Sequence, residues 1–449
     1  MRSPYDDVVV RLIVGIAVIS IAASACAPAA TTATPTATTV AAATPTASVL
    51  PTRQDGLAAR PAARAAVARR WYTVSDGLFQ EAARVSVTIP DVDAAPGRPR
   101  ARLRSTSRTI DLAPSDTALW TGALPLDGAA TGEQTVEFIV RLRDGTDAVI
   151  DSATFLLSAP EYVVWTLDFE GDAAGDAEMA NTAAIADALG VPMTLMWNPR
   201  VWTTTQVSAS RADAMLAWTK LRASKGDEIA LHVHMWTDFV RAAGLVPRTA
   251  PSWAGRGDGY DVPMTAYNEA ETRTLVEFSL RLFAEHGLPK PTSFRGGGLF
   301  ANAANLRAVA ALGFTADCSA TPAGPFGQLQ LPWTLAPDAQ PYYPARDDAN
   351  SVGDLTLLEA PTIAGNTYGH SVSSIAAVAA ADLRKIAAPG QPAPQRRALT
   401  IVSHPGTIDA IERAAIEALF RAFEPYRYDR DAGPLRFVTL AQLAKAYGR

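Results

Sequence analysis

Two imidazoles stand two residues apart in His232-Val233-His234, directly after the apolar run Ile229-Ala230-Leu231. Alternate residues of a strand share a face, so the pair forms a two-ligand arm for zinc or a similar divalent ion. Such an ion needs a further carboxylate or histidine, and the competing reading is a pair of hydrogen-bonded surface histidines. Carboxylates are at hand in Asp168, Glu170 and Asp172, which follow the apolar run Val163-Val164-Trp165. A single acid there would read as a helix cap or a solvated loop residue. A cluster facing a histidine pair reads as a metal ligand plus a general base, and burial with a nearby cation would tune the acids apart. Water at an open position of such an ion ionises near neutral pH.

Arg295 opens a stretch of three glycines, Gly296-Gly297-Gly298. Glycines let the backbone pass close to a site, and an arginine there can clamp a carboxylate through two hydrogen bonds. Gly296 and Gly297 are therefore candidate substrate contacts. A phosphate-cradling loop is disfavoured, since neither the lysine nor the glycine register of that motif is present. His404, in His404-Pro405-Gly406, follows a strand and suits a proton donor, with an ordinary loop histidine as the alternative. Trp236, Trp253 and Trp333 fall in loops after strands, where an indole stacks on a sugar ring or packs into the core; Trp236 is the candidate substrate contact. His286 reads as a surface residue at a helix C-terminus, and His370 as a loop residue.

The elements that must carry these side chains change character at Tyr162. Before it, Arg84–Ile89, Thr135–Leu142 and Ala153–Leu157 alternate apolar and polar residues, which predicts a small antiparallel β-sandwich. After it, strands are expected at Val163–Leu167, Met193–Trp197, Ile229–Val233, Thr292–Phe294, Thr315–Cys318, Leu355–Leu358, Leu399–Val402 and Phe437–Val438. Helices are expected at Ala177–Leu189, Ala209–Ser224, Thr265–His286, Ala303–Leu312, Ile408–Phe423 and Leu440–Tyr447. Such alternation predicts an α/β fold, a distorted (β/α) barrel of about seven strands. Asp168, the histidine pair, Arg295 and His404 then fall at strand C-termini, which converge on one mouth.

Taken in order, these residues resemble the polysaccharide deacetylase family, the NodB-type homology domain of carbohydrate esterase family four. Thr166-Leu167-Asp168 is similar to the family's first motif, and Gly226-Asp227-Glu228-Ile229-Ala230-Leu231-His232-Val233-His234 to its histidine motif. Ser293-Phe294-Arg295-Gly296-Gly297 resembles its arginine motif, Leu357-Leu358-Glu359-Ala360-Pro361 a later strand, and Ile401-Val402-Ser403-His404-Pro405 its last histidine motif. The likeness runs from Tyr162 to Arg449. It implies a hydrolase that removes N-acetyl groups from a carbohydrate or polysaccharide with a divalent metal, zinc foremost. In that scheme Asp168 takes the proton of the attacking water, Arg295 holds Asp168, and His404 protonates the departing amine. Two departures stand out. The family's second aspartate falls on Phe169, which cannot bind metal, and the second histidine follows the first by two residues where four are usual. His232, His234 and Glu170 are the ligand set this leaves, with Asp172 as second choice to Glu170.

Toward the N-terminus, Leu12–Ala23 is apolar for the length of a signal-peptide core and is flanked by Arg2 and Arg11. Ala23-Ser24-Ala25-Cys26 resembles a bacterial lipobox, which implies an exported protein anchored to the membrane through lipid on Cys26. The expected organisation is a leader at 1–26, an Ala/Thr/Pro-rich tether at 27–69, the β-sandwich at 70–160 and the barrel at 161–449. Cys318, the second of two cysteines, is then a lone buried thiol. With 40 basic against 45 acidic residues and no basic stripe, nucleic acid is not an expected partner. Two rival readings remain: another metal amidohydrolase, and a catalytically inactive glycan-binding surface lipoprotein.

Overall fold

The computed structural model describes residues 61–90 and 97–448. The leader, Cys26 and most of the proposed tether lie outside the described residues. Among the described ones, no helix is long and apolar enough to cross a membrane.

The first part is all strand. β1 (Arg64–Val67), β3 (Ala82–Thr88), β7 (Leu119–Pro125) and β6 (Ala113–Pro114) form one sheet. β2 (Trp71–Thr73), β9 (Asp147–Ser158), β8 (Gly132–Arg141), β4 (Arg100–Leu103) and β5 (Arg108–Asp111) form the other. Ala83, Val85 and Val87 of β3 are buried while their neighbours are not, which is the period expected of a strand with one covered face. The short strands β4 to β6 and the longer β7 were not expected from sequence.

β9 runs through Ala159-Pro160 straight into the second part, where eight parallel strands curl into one sheet. These are β10 (Glu161–Asp168), β11 (Met193–Trp197), β12 (Glu228–Val233), β13 (Ser293–Gly296), β14 (Ala316–Asp317), β17 (Leu358–Glu359), β18 (Arg397–Ser403) and β19 (Leu435–Val438). The hairpin β15 (Pro325–Phe326) and β16 (Leu329–Gln330) lies in the long loop after β14. β10 sits at the centre of the curl. One edge pairs with β18; the other pairs with β19 along Glu161–Val164 and with β11 along Trp165–Asp168. Between β17 and β18 the ring is bridged by irregular chain, Ala364 and Thr367 donating to the carbonyls of Thr400 and Val402. The distorted barrel is therefore held together at that point by a loop.

Residue parity sorts the two faces of this sheet. Val163, Trp165, Leu167 and Phe169 pack with the surrounding helices, whereas Tyr162 and Val164 face inward with Met196, Ala230, Cys318 and Leu358. The helix Leu440–Ala446 contributes Leu440 and Leu443 to that inner cluster. Several expected elements recur at or near their expected bounds, including the helix Ala209–Ser224 with Ser208 as its cap. Two expectations need correction. The long helix begins at Glu269, since Asn268 and Glu271 form a capping box and Met264–Ala266 is a separate 3-10 turn. Expected strand Leu355–Leu358 is displaced to Leu358–Glu359, where β14 offers only Ala316 and Asp317 as partners. The helix Val372–Leu383 was not expected from sequence.

Candidate active site

Four strand ends deliver the polar cluster. β10 ends in Asp168, β12 carries His232 with His234 just beyond, β13 carries Arg295, and His404 follows β18. Glu170 keeps the inward parity of Asp168 but lies past the end of β10, on the loop.

The Glu170 carboxylate stands at the centre. Its Oε2 is 2.6 Å from His234 Nε2 and 3.5 Å from His232 Nε2, while Oε1 is 3.2 Å from His404 Nε2. His232 Nδ1 lies 3.0 Å from the Arg295 carbonyl oxygen, and His234 Nδ1 2.7 Å from that of Tyr260. A carbonyl only accepts, so each Nδ1 carries the hydrogen, and in the neutral imidazole each Nε2 presents a lone pair. Glu170 Oε2 and His232 Nε2 are buried with no hydrogen-bond partner. Two acceptors facing each other at such range repel unless a cation or a proton lies between them. The set fits a divalent metal: two neutral imidazoles, oriented by backbone carbonyls, and one carboxylate are a set that catalytic zinc takes with a position left open. Among the described residues, ligand atoms of Glu170, His232 and His234 fall within 4.8 Å of one another, as do those of Asp168, Glu170 and His404. Burial works to raise the Glu170 carboxyl, but His234, His232 and His404 hold it well below the usual range. Burial likewise opposes a charge on His404, and Glu170 outweighs it to raise the imidazole above its ordinary value.

Arg295 is wholly buried and points its donors inward. Nη1 donates to Asp168 Oδ1 and to Thr166 Oγ1, both at 2.7 Å, Nη2 to Thr362 Oγ1 at 3.1 Å, and Nε to the Cys318 carbonyl at 3.2 Å. Its grip on Asp168 is a single hydrogen bond, not the two-bond clamp the sequence allows for. The Cys318 thiol is buried, and burial pushes its pKa well up.

The glycines after Arg295 are explained by close packing. A Cβ on Gly297 would come within 2.6 Å of the His234 ring, and one on Gly298, at φ 63°, within 2.7 Å of Trp253. Gly296 donates its N–H to Ser319 Oγ, and Gly296 and Gly297 are both buried. Trp236, Trp253 and Trp333 are 2%, 7% and 1% exposed, so these rings pack rather than present a free face. Trp236 Nε1 instead donates to the Glu170 carbonyl at 2.9 Å. Asp172 lies on the same loop beyond Gly171. His286 is stacked on Trp202 with ring centroids 4.0 Å apart, and His370 Nδ1 meets Ser374 Oγ at 3.0 Å. Sequence reasoning missed Tyr260, stacked on His234 at 4.2 Å, and Tyr368, edge-on to His404 at 6.0 Å. It also missed Thr362; these partners come from loops and have no signature of their own.

No family model matches the chain, and no curated protein matches it. Solved structures do. A protein described as a polysaccharide deacetylase from Mycobacterium smegmatis matches at 15% identity over 64% of this chain and 89% of that one, with a TM-score of 0.40. A family 4 carbohydrate esterase from Streptomyces lividans, in complex with acetate, matches at 14% identity over 58% and 87%, TM-score 0.31. A peptidoglycan deacetylase from Bacillus subtilis matches at 12% identity over 64% and 92%, TM-score 0.31. The solved structures to which this chain is similar thus include polysaccharide deacetylases and carbohydrate esterases of family 4.

Proposed function

We propose that this protein is a metal-dependent hydrolase that removes N-acetyl groups from a carbohydrate or polysaccharide. The observation that carries the reading is the convergence of His232 Nε2, His234 Nε2 and Glu170 Oε2, next to an aspartate held by a buried arginine and a histidine on the opposite side of the carboxylate. The sequence motifs support the acetamide substrate. His232, His234 and Glu170 would hold the ion, zinc foremost, which when bound polarises the acetamide carbonyl and acidifies water.

This chain's own residues do the proton work. Asp168, fixed by Arg295, accepts a proton from the attacking water as the new carbon–oxygen bond forms. His404 donates a proton to the nitrogen as the carbon–nitrogen bond breaks, so acetate and a free amine leave. We further propose that the protein is exported and anchored through Cys26, on the strength of the lipobox-like residues.

The test is acetate release from N-acetylated oligosaccharides by zinc-loaded protein, with chelator-treated protein as control. Zinc-dependent acetate release supports the reading. Hydrolysis of a cyclic amide or peptide with no acetate would replace it with another amidohydrolase, and zinc binding with no hydrolysis would leave a binder.

A further inference from the structure

The metal carboxylate of the proposed site sits on a loop, not on the strand, and a loop needs something to hold it. Arg200 is the buried group that does so. It lies three residues past the end of β11, in the short 3-10 turn Pro199–Trp202 that Asn198 caps, and has no exposed surface. Its Nη1 donates at 2.7 Å to the carbonyl of Gly171, the residue directly after Glu170. Its Nε and Nη2 make a two-bond fork on Asp238, each at 2.8 Å, and Nη2 also meets Gln206 Oε1 at 2.8 Å. The guanidinium lies 3.7 Å over the Trp236 ring, and Trp236 in turn donates to the Glu170 carbonyl. Consecutive carbonyls of the ligand-bearing loop are therefore gripped by one arginine and one indole. Gly171 makes the close approach possible: at φ 85° it favours glycine, and a Cβ there would come within 3.0 Å of Asn198 and 3.1 Å of Arg200.

The same guanidinium thus joins the loops after β10, β11 and β12, which are the loops that bring Glu170 to His232 and His234. We propose that Arg200 and Trp236 are positioning residues for the metal centre, setting the Glu170 carboxylate against the histidine pair; the proposal rests on Glu170 being a ligand. A rigid fork matters here because a lysine could not bond Asp238 twice and reach the Gly171 carbonyl as well.

The experiment measures zinc affinity, by competition with a chromophoric chelator, and melting temperature of the chelator-treated protein. Trp236→Phe keeps an aromatic ring near the guanidinium, removes the N–H to Glu170 and leaves a small cavity where the rest of the indole packed. It should weaken zinc binding roughly 10–100-fold, the usual cost of losing an outer partner of a ligand, well beyond what the small fall in metal-free melting temperature from the cavity accounts for, with turnover restored by excess zinc. Arg200→Lys should shift zinc affinity in the same direction and further. Parent-like zinc affinity in Trp236→Phe overturns the proposal. So does a loss of affinity that only tracks a fall in metal-free melting temperature, which assigns these residues to folding. A parent protein that takes up no zinc overturns the proposed function itself.

Discussion

At the scale of single residues, the two carboxylates of the cluster have separable fates. Glu170 faces three imidazoles, Asp168 faces Arg295. Glu170→Ala should abolish tight zinc binding, measured by metal content after gel filtration, whereas Asp168→Asn should keep the zinc and lose turnover. Retention of both zinc and acetate release in Glu170→Ala would pass the ligand role to Asp172 or Asp168. His404 touches Glu170 through Oε1, away from the oxygen that meets His234. His404→Ala should therefore lower kcat by about 10²–10⁴-fold, the range for a lost general acid or base, with bound zinc near that of the parent. Zinc loss in that variant would make His404 a ligand. The residue types and their order were legible in the sequence because each ends an apolar run. Their partners were not: the Tyr260 carbonyl, Thr362 and Arg200 reach the cluster from loops 20 or more residues away in the chain, and no local pattern announces a tertiary hydrogen bond.

Elements place those residues through parity and through close approach. The inward face of β10 was readable only from its polar end, where Asp168 and Glu170 share a parity, since the strand is buried on both faces and its apolar residues do not alternate. The Gly296–Gly298 run was readable as a close approach but not as to what. It proves to be the His234 and Trp253 rings. Gly297→Ala should press on the His234 imidazole and weaken zinc binding, while Gly257→Ala, with nothing within 4 Å of its Cβ, should leave affinity unchanged. Equal affinity in the two variants would remove Gly297 from the design of the site. The start of the helix at Glu269 was encoded as well, in Asn268 and Glu271, but Thr265 offers a rival cap three residues earlier. Elements β4 to β6 were illegible because each has four residues or fewer, and β7, though seven residues long, lacks alternation in Leu119-Trp120-Thr121-Gly122-Ala123-Leu124-Pro125.

For the molecule as a whole, the β-rich part and the curled sheet form one compact unit from Arg60 to Arg449. Along their seam the Tyr162 hydroxyl donates to Asp76, and Glu81 receives Arg436 and, at 2.8 Å, the Tyr428 hydroxyl. Glu161 heads β10 where the chain passes from one part to the other. Burial pushes its carboxyl from the ordinary 4.5 to about 7, with Ala387 N–H as its one hydrogen-bond donor. Below pH 4.5 it is protonated whether folded or unfolded. Between 4.5 and 7 only the unfolded chain ionises it, so folding takes up a proton and stability falls as pH rises, fully so above 7. A difference of that size corresponds to about 3 kcal/mol at most. Glu161→Gln should therefore lose less stability than the parent between pH 5 and pH 8 in urea titrations; identical pH slopes would show that Glu161 is ionised in the folded protein. Outside the described residues, Cys26→Ser should move the protein from the membrane to the soluble fraction. Unchanged fractionation would rule out the lipid anchor.

Phe169 is 2% exposed, with its ring 5.1 Å from Trp197 and 6.2 Å from Trp218. An aspartate placed there alone would set an unpaired carboxylate among indoles, on the side of the sheet opposite Glu170, at a cost on the order of several kcal/mol. It would acquire no imidazole in exchange. A carboxylate at the second position of Asp168-Phe169-Glu170 therefore could not stand in for Glu170 beside the imidazoles. To face them from position 169, a carboxylate would need the strand end turned over and the place between the two tryptophans given up. Position 169 is for that reason expected to accept apolar residues and to reject an acid, read as the melting temperature of Phe169→Leu against that of Phe169→Asp.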